Sequence, residues 1–243
     1  MSLPRLMGCP CAPVLEKDVF TFLSSKMGDK GYTVAINAEK VLKYRAAPDL
    51  KRIVDASILP YPDGAGAVIG LKWLHGLASE KINMPVLALE FADTYNIRTF
   101  IVGATWEVHD LAITKIHGLY PDIDLVGSMH GYSPAEEIIK QIVRERPQLI
   151  LLALGSPRQE EFASELLENI EIGLVIGCGG ALDIIAGRLK RAPKFWIDNN
   201  LEWAYRAIQE PWRLKRQLFL PKFLFHLVVE KIRQGLNRSL GNT

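Results

Sequence analysis

A carboxylate, an amide and two glycine-rich turns are the chemically suggestive features of this sequence. Asp63 stands in Pro62-Asp63-Gly64, just after a short apolar run. A carboxylate at a strand end can accept a proton from a hydroxyl. Pro, Asp and Gly are also ordinary turn residues, and spacing alone favours that plainer reading. GSPRQE (155–160) follows a strongly apolar run and opens a helical pattern. Free N–H groups at such a turn suit an anion or a sugar hydroxyl, with Gly155 making the turn. Gln159 adds a side-chain donor and acceptor. GCGG (177–180) has the same placement, and Gly177, Gly179 and Gly180 permit close backbone approach. Asp183 either caps the helix that follows or faces the pocket. Arg191, Arg206, Arg213 and Arg216 come later. Folded over the strand ends, they would neutralise a diphosphate leaving group; singly, each reads as a solvated surface charge.

Several chemistries find no support. The glycines of GCGG do not make a G-x-G-x-x-G, and no P-loop lysine pattern occurs, so a nicotinamide or nucleoside-triphosphate site is weakly supported. Cys9 and Cys11 are too close for an ordinary disulfide, and no second pair or His cluster completes a zinc site. Cys178 lies in an apolar run and reads as a small core residue. Neither a metal nor a cofactor is expected.

These groups need elements to position them. In the 243 residues, 49% are hydrophobic, enough for a substantial core. Helical spacing covers 14–27, and 32–36 reads as a strand ending at Asn37. A helical region at 39–56 is interrupted near Pro48. Ile58 and Leu59 form a short strand before the 61–66 turn, and 65–77 is an apolar helix. Helix 85–95, strand 98–102, helix 108–119, strand 123–126, helix 134–145, strand 149–154, helix 160–169, strand 172–176 and helix 181–185 follow in alternation. Residues 1–13 read as irregular. The alternation predicts an α/β fold: a mostly parallel, Rossmann-like sheet with helices on both faces.

After Pro193 the strands stop. Helices are expected over 199–208, 211–219 and 222–238, which predicts an α/β domain at 1–192 and a helical, basic, membrane-proximal appendage at 193–243. From Arg188 onward there are twelve Lys and Arg against four Asp and Glu, a net +8 in a chain of net +2. Such an end suits an acidic partner: phosphate, nucleic acid or anionic lipid. The last helix carries Phe225, Val228, Val229, Ile232 and Leu236 at helical spacing. That stripe either docks on the chain's own domain or lies at an anionic membrane surface. No apolar signal region and no run of 18 uncharged apolar residues occurs, so the expected compartment is the cytoplasm.

At these residues the chain resembles the WecG/TagA/CpsF family of bacterial glycosyltransferases. The matching segments are TVAINAEKVL (33–42), P-x-D-G (61–64), HGY (130–132), GSPRQE (155–160), GCGGALDIIAG (177–187), KRAPKFW (190–196) and LEWAYR to LKRQ (201–217). AINAEK and the last stretch look closest to the WecG branch. That branch transfers N-acetylmannosaminuronic acid from its UDP derivative to undecaprenyl-diphosphate-linked GlcNAc, in enterobacterial common antigen synthesis. TagA-like members use UDP-N-acetylmannosamine for teichoic acid linkage, and UDP-glucose is a further donor to weigh.

The resemblance implies an inverting, metal-independent transferase. It makes Asp63 the general base, against the reading from spacing, with Thr33 and Asn37 beside it. Gln159 would position substrate, and Arg206, Arg213 and Arg216 would approach the diphosphate. The implied partners are a UDP-sugar donor, an undecaprenyl-linked acceptor and the cytoplasmic face of the inner membrane, which the chain would meet peripherally, with no nucleic acid; a homo-oligomer is left open. One segment departs from the family: where R-V-x-G-x-D-L is common, this chain reads PVLALEF at 85–91.

Overall fold

A computed structural model describes residues 3–198, 201–209 and 219–240, with the side chains of Asp198, Arg206 and 237–240 left aside. The chain divides into two compact units. One draws on Lys17–Val34 and Asn83–Arg191, the other on Met1–Glu16, Ala35–Ile82 and Ala192–Thr243.

The first unit is built on parallel strands. β3 (Lys30–Ile36), β8 (Gly173–Gly177), β7 (Leu149–Ala153), β5 (Thr99–Gly103) and β6 (Leu125–Met129) lie side by side in that order. Each neighbouring pair is parallel. Every residue of β5 and β7 is buried, which is why both read as unbroken apolar runs rather than as alternating ones. Between the strands run α6 (Trp106–Leu119), α7 (Ala135–Glu145) and α8 (Arg158–Asn169). α7 is amphipathic, burying Ile138 and Ile142 one turn apart. α1 (Val19–Lys26) packs with α5 (Met84–Thr94). α9 (Ala181–Ile185) follows β8 and packs on α6. The expected elements are all present here, with ends moved by a few residues.

In the second unit β4 (Leu59–Pro62) takes the place beside β3 in the six-stranded order. The interrupted helix is two helices, α2 (Ala38–Tyr44) and α3 (Pro48–Ala56). Pro48 opens the second, and Ala47 before it is extended at φ −121°, ψ 97°, as a residue preceding proline prefers. α4 (Ala65–His75) starts after Gly64 and stops at Gly76, whose left-handed backbone (φ 69°) closes the helix.

Two expectations need correction. Residues 5–10 are not irregular: β1 (Arg5–Leu6) and β2 (Cys9–Pro10) form a small antiparallel hairpin. Its turn uses positive φ at Met7 and Gly8, and strands of two residues carry no readable periodicity. After Pro193 a short helix that was not expected, α10 (Lys194–Asp198), comes first, and the helix expected at 199–208 is present as α11 (Glu202–Gln209). The helix expected at 211–219 lies outside the described residues, apart from its last position.

The C-terminal helix, Phe219–Leu240, packs on α2 and α4. Phe223 and Leu227 are wholly buried. They meet a small-residue row on α4: a Cβ on Gly66 would lie 3.6 Å from Phe223, and one on Gly70 would lie 3.5 Å from Leu227. The Lys231 ammonium donates to the Trp73 carbonyl at 2.5 Å. The stripe expected to form one apolar face points the other way. Phe225, Val228, Ile232 and Leu236 are 43–65% exposed, and Val229 is half-buried.

Candidate functional site

Asn37 and Asp63 mark two neighbouring strand ends in the second unit. The Asp63 N–H donates to the Ile36 carbonyl at 2.8 Å, fixing the end of β4 against the end of β3. The Asp63 side chain is exposed. It is followed by Gly64, whose φ of 82° and ψ of 165° turn the chain into α4. Glycine meets that conformation without the Cβ clash another residue would suffer. The turn reading and the carboxylate reading of Pro62-Asp63-Gly64 are therefore both compatible with the geometry: the turn holds the carboxylate out at the strand end.

Asn37 is the N-cap of α2, and its Oδ1 accepts the Lys40 N–H at 2.9 Å. The cap uses the amide oxygen and not the NH2. Lys40 was not singled out from the sequence. It is buried, and its ammonium donates to the Ala35 carbonyl at 2.9 Å. The lysine that ends AINAEK, three residues after Asn37, is the signal that could have drawn attention to it, since buried lysines need a built environment.

The first unit holds the glycine-rich turns. Thr33 lies in β3 with Ile176 of β8 as its register partner. It is 4% exposed, and its Oγ1 has no hydrogen-bond partner among the described residues. Gly155 turns the chain after β7 with φ 76°. Gln159, in the first turn of α8, is buried. Its Oε1 accepts the Gly179 N–H at 3.0 Å, and its Nε2 donates weakly to Glu160 at 3.4 Å. A Cβ at Gly177 would come within 2.4 Å of that Nε2. The glycine is therefore there so that the amide can lie against the strand end. Gln159 ties one turn to the other, which is a positioning role in addition to the substrate contact expected of it.

Gly179 has φ 52°, and Gly180 caps α9. The Asp183 carboxylate turns back toward Gly180: a Cβ on that glycine would lie 3.9 Å from its Oδ2. The Asp183 carbonyl closes the following loop by accepting from Arg188 and Leu189 at 2.9 and 3.1 Å. Cys178, inside the turn, is buried, and desolvation pushes its thiol up to about 12, so it is no nucleophile at neutral pH. Arg191 is exposed. Arg206 lies in α11 with its side chain outside the described residues, as are Arg213 and Arg216 altogether. A cavity of about 280 Å3 opens near Arg146, Pro147, Glu171 and Ile172, at the amino ends of β7 and β8, away from these turns. Among the described residues no group of three or more His, Cys, Asp or Glu is placed to hold a metal ion. No described helix is long and apolar enough to cross a membrane.

The second unit supplies an exposed carboxylate and a capping amide at neighbouring strand ends, and the first unit supplies two glycine-rich turns joined by Gln159. A family model described as "Glycosyl transferase WecG/TagA/CpsF family" matches residues 4–237. An N-acetylglucosaminyldiphosphoundecaprenol N-acetyl-beta-D-mannosaminyltransferase of Bacillus subtilis (strain 168) is 33% identical over 183 residues, 74% of this chain and 72% of that protein. A protein of the same name from Bacillus spizizenii is 29% identical over 208 residues, 84% of this chain and 80% of its own length.

Proposed function

The chain belongs to the WecG/TagA/CpsF family of glycosyl transferases, and on that premise we propose that it moves a mannosamine-series sugar from a UDP donor onto GlcNAc-diphospho-undecaprenol. The observation that carries this reading is the exposed Asp63 carboxylate, held at a strand end in a chain 33% identical to an enzyme named for that acceptor. The GlcNAc hydroxyl loses its proton to Asp63 as its oxygen forms the bond to the anomeric carbon of the donor. The bond from that carbon to the diphosphate oxygen breaks, and UDP leaves with the bonding pair. Attack from the opposite face inverts the anomeric centre. Asn37, through its NH2, orients the acceptor beside the base. The Gly155 and Gly177–Gly180 turns, joined by Gln159, hold donor oxygens on backbone N–H groups. Arg191, Arg206, Arg213 and Arg216 offset the charge that develops on the diphosphate.

Work at a lipid-linked acceptor places the enzyme at the bilayer. The C-terminal helix uses Phe223 and Leu227 to grip its own unit, so its outward apolar stripe is left for the membrane, with Lys222 and Arg233 exposed for anionic headgroups. These features support a peripheral enzyme at the cytoplasmic face. The likeness of AINAEK and LEWAYR to the WecG branch favours N-acetylmannosaminuronic acid; the relatives' names favour N-acetylmannosamine. A panel of UDP-ManNAc, UDP-ManNAcA and UDP-glucose, each with one GlcNAc-diphospholipid and read by UDP release, decides between them. Transfer from a mannosamine-series donor that disappears in Asp63→Asn supports the reading, and no transfer from any donor overturns it.

A further inference from the structure

A helix that is apolar on every side belongs in a core or against hydrocarbon. α4 is close to that: in AGAVIGLKWLH, Lys72 and His75 are the only titratable side chains. One face is satisfied. Ala67, Gly70, Leu71 and Leu74 are buried, and the C-terminal helix lies along Gly66 and Gly70. The opposite face is not covered. Ile69 is 49% exposed and Trp73, one turn on, is 42% exposed. Ala65 and Val68 before them are half-buried. Positions 65, 68, 69, 72 and 73 recur at helical spacing, so they form one stripe.

This stripe begins at the carboxylate. Gly64 turns the chain from Asp63 directly into α4, so Ala65, Ile69 and Trp73 recede from Asp63 one turn at a time. At about 1.5 Å per residue, Ile69 and Trp73 stand roughly 6 and 12 Å along the axis from Ala65. Lys72 is exposed on the same face. Helical side chains lean toward the N-terminus, which brings its ammonium back toward the Asp63 end. The C-terminal helix runs parallel to α4: Phe223, Leu227 and Lys231 meet Gly66, Gly70 and Trp73 in that order. Leu224 and Val228, one position on from the docked pair, are exposed and continue the apolar surface.

A sugar carried on a lipid diphosphate offers the matching series. It has a hydroxyl for the carboxylate, a diphosphate for the ammonium and a hydrocarbon chain for the stripe. The charge of Lys72 and the start of the stripe at Asp63 both select that occupant over an uncharged apolar one.

We propose that the outward face of α4, chiefly Ile69 and Trp73, seats the first isoprene units of the acceptor's polyprenyl chain, with Lys72 on its diphosphate. This rests on the lipid-linked acceptor of the reading above and adds a site for the part of the acceptor that does not react. Through it the enzyme selects acceptors by their chain as well as by their sugar.

Acceptors with one headgroup and different chains test it on the whole chain. UDP release is followed in a single non-ionic detergent with GlcNAc-diphospho-undecaprenol and with the methyl ester of GlcNAc-diphosphate. Ile69→Ser with Trp73→Ser raises KM for the undecaprenyl acceptor ~10-fold or more, as loss of two apolar contacts does. KM for the methyl ester, kcat and the melting temperature stay at the parental values. Ile69→Leu with Trp73→Phe keeps KM within about 3-fold, because apolar volume is nearly kept. Lys72→Met raises KM for both acceptors. An unchanged KM for the undecaprenyl acceptor in the serine pair, or an equal rise for both acceptors, overturns the site. Weaker sedimentation of the serine pair with acceptor-free phosphatidylglycerol vesicles makes α4 a general bilayer contact. A parental dimer that the serine pair dissociates makes it a contact between copies. Either result overturns the proposal. The two readings fail separately. No transfer to either acceptor, with equilibrium binding of the undecaprenyl acceptor still weakened in the serine pair, sinks the transferase and leaves the α4 site. Transfer whose KM ignores the serine pair sinks the α4 site alone.

Discussion

The Gln159 side-chain oxygen accepts the Gly179 N–H at 3.0 Å, and Gly177 has no side chain to keep that amide away. One buried side chain thus fixes the spacing of two turns that belong to different strands. Substitution at either end should be felt at the other. Gly177→Ala forces the amide to move and should cost about 1–3 kcal/mol, the usual penalty of overpacking. Gln159→Ala loses one hydrogen bond, about 1 kcal/mol. In the double variant the alanine at 177 has nothing to strike, so the two losses should be clearly less than additive. Denaturant unfolding of the four proteins measures this coupling, and strict additivity would show the contact to be without consequence.

Asp63 separates the chemistry from the fold. Its side chain is exposed, and the turn that holds it depends on the backbone and on Gly64. Asp63→Asn should therefore keep the melting temperature and the UDP affinity while turnover falls ~10^2–10^4-fold, the range for loss of a general base. A variant that turns over at the parental rate would remove Asp63 from the mechanism.

The two faces of the C-terminal helix should answer to different assays. Phe223→Ala opens a cavity against Gly66 and should cost about 3–5 kcal/mol of stability. Phe225→Ser with Ile232→Ser alters only exposed positions. That pair should keep the fold and reduce sedimentation with vesicles containing phosphatidylglycerol. Vesicle binding that survives the double change would mean the outward stripe is not the contact.

His109 gives the fold a pH dependence of definite sign. Burial holds its pKa below the ordinary 6.5, against a smaller opposing effect of the Gly103 carbonyl. Below 6.5 the unfolded chain takes up a proton that the folded chain refuses. The contribution of His109 is thus full above that pH and is lost as pH falls through it toward the folded-state value. His109→Gln keeps a donor for the Gly103 carbonyl and cannot titrate. Its melting temperature should fall less steeply than that of the parent between about pH 7 and pH 5; parallel curves would clear His109 of the effect.

All three cysteines are buried. Desolvation pushes Cys9 and Cys178 up to about 12, and Cys11 still higher. An aromatic disulfide reagent at pH 8 should find no thiol in the native protein and three in guanidinium chloride. Rapid labelling of Cys178 in the native state would mean that the GCGG turn opens.

The order of strands and helices was legible because each buried parallel strand is a continuous apolar run between turn residues. β5 and β7 announce themselves that way, and Pro48 announces the break between α2 and α3. The short hairpin at Arg5–Pro10 was not legible, because two-residue strands have no period. The residue types of the candidate site were legible too: a carboxylate after a strand, an amide and two glycine-rich turns. Their division of labour was not. Gln159 reads as a free amide until Gly179 is seen to occupy its oxygen. The C-terminal stripe reads as one apolar face until Phe223 and Leu227 are seen to dock, leaving Phe225, Val228, Ile232 and Leu236 outward.

The sequence by itself determined what is local: where chain direction changes, which segments must be buried, and that Asp63 ends a strand. Only the tertiary structure decided which strands are neighbours. It also decided which glycines exist for a side chain arriving from elsewhere, as Gly177 does for Gln159 and Gly66 for Phe223. The reason is physical. Burial and hydrogen-bond satisfaction are set by partners distant in the chain, and a residue's type states what it can bond without stating what reaches it.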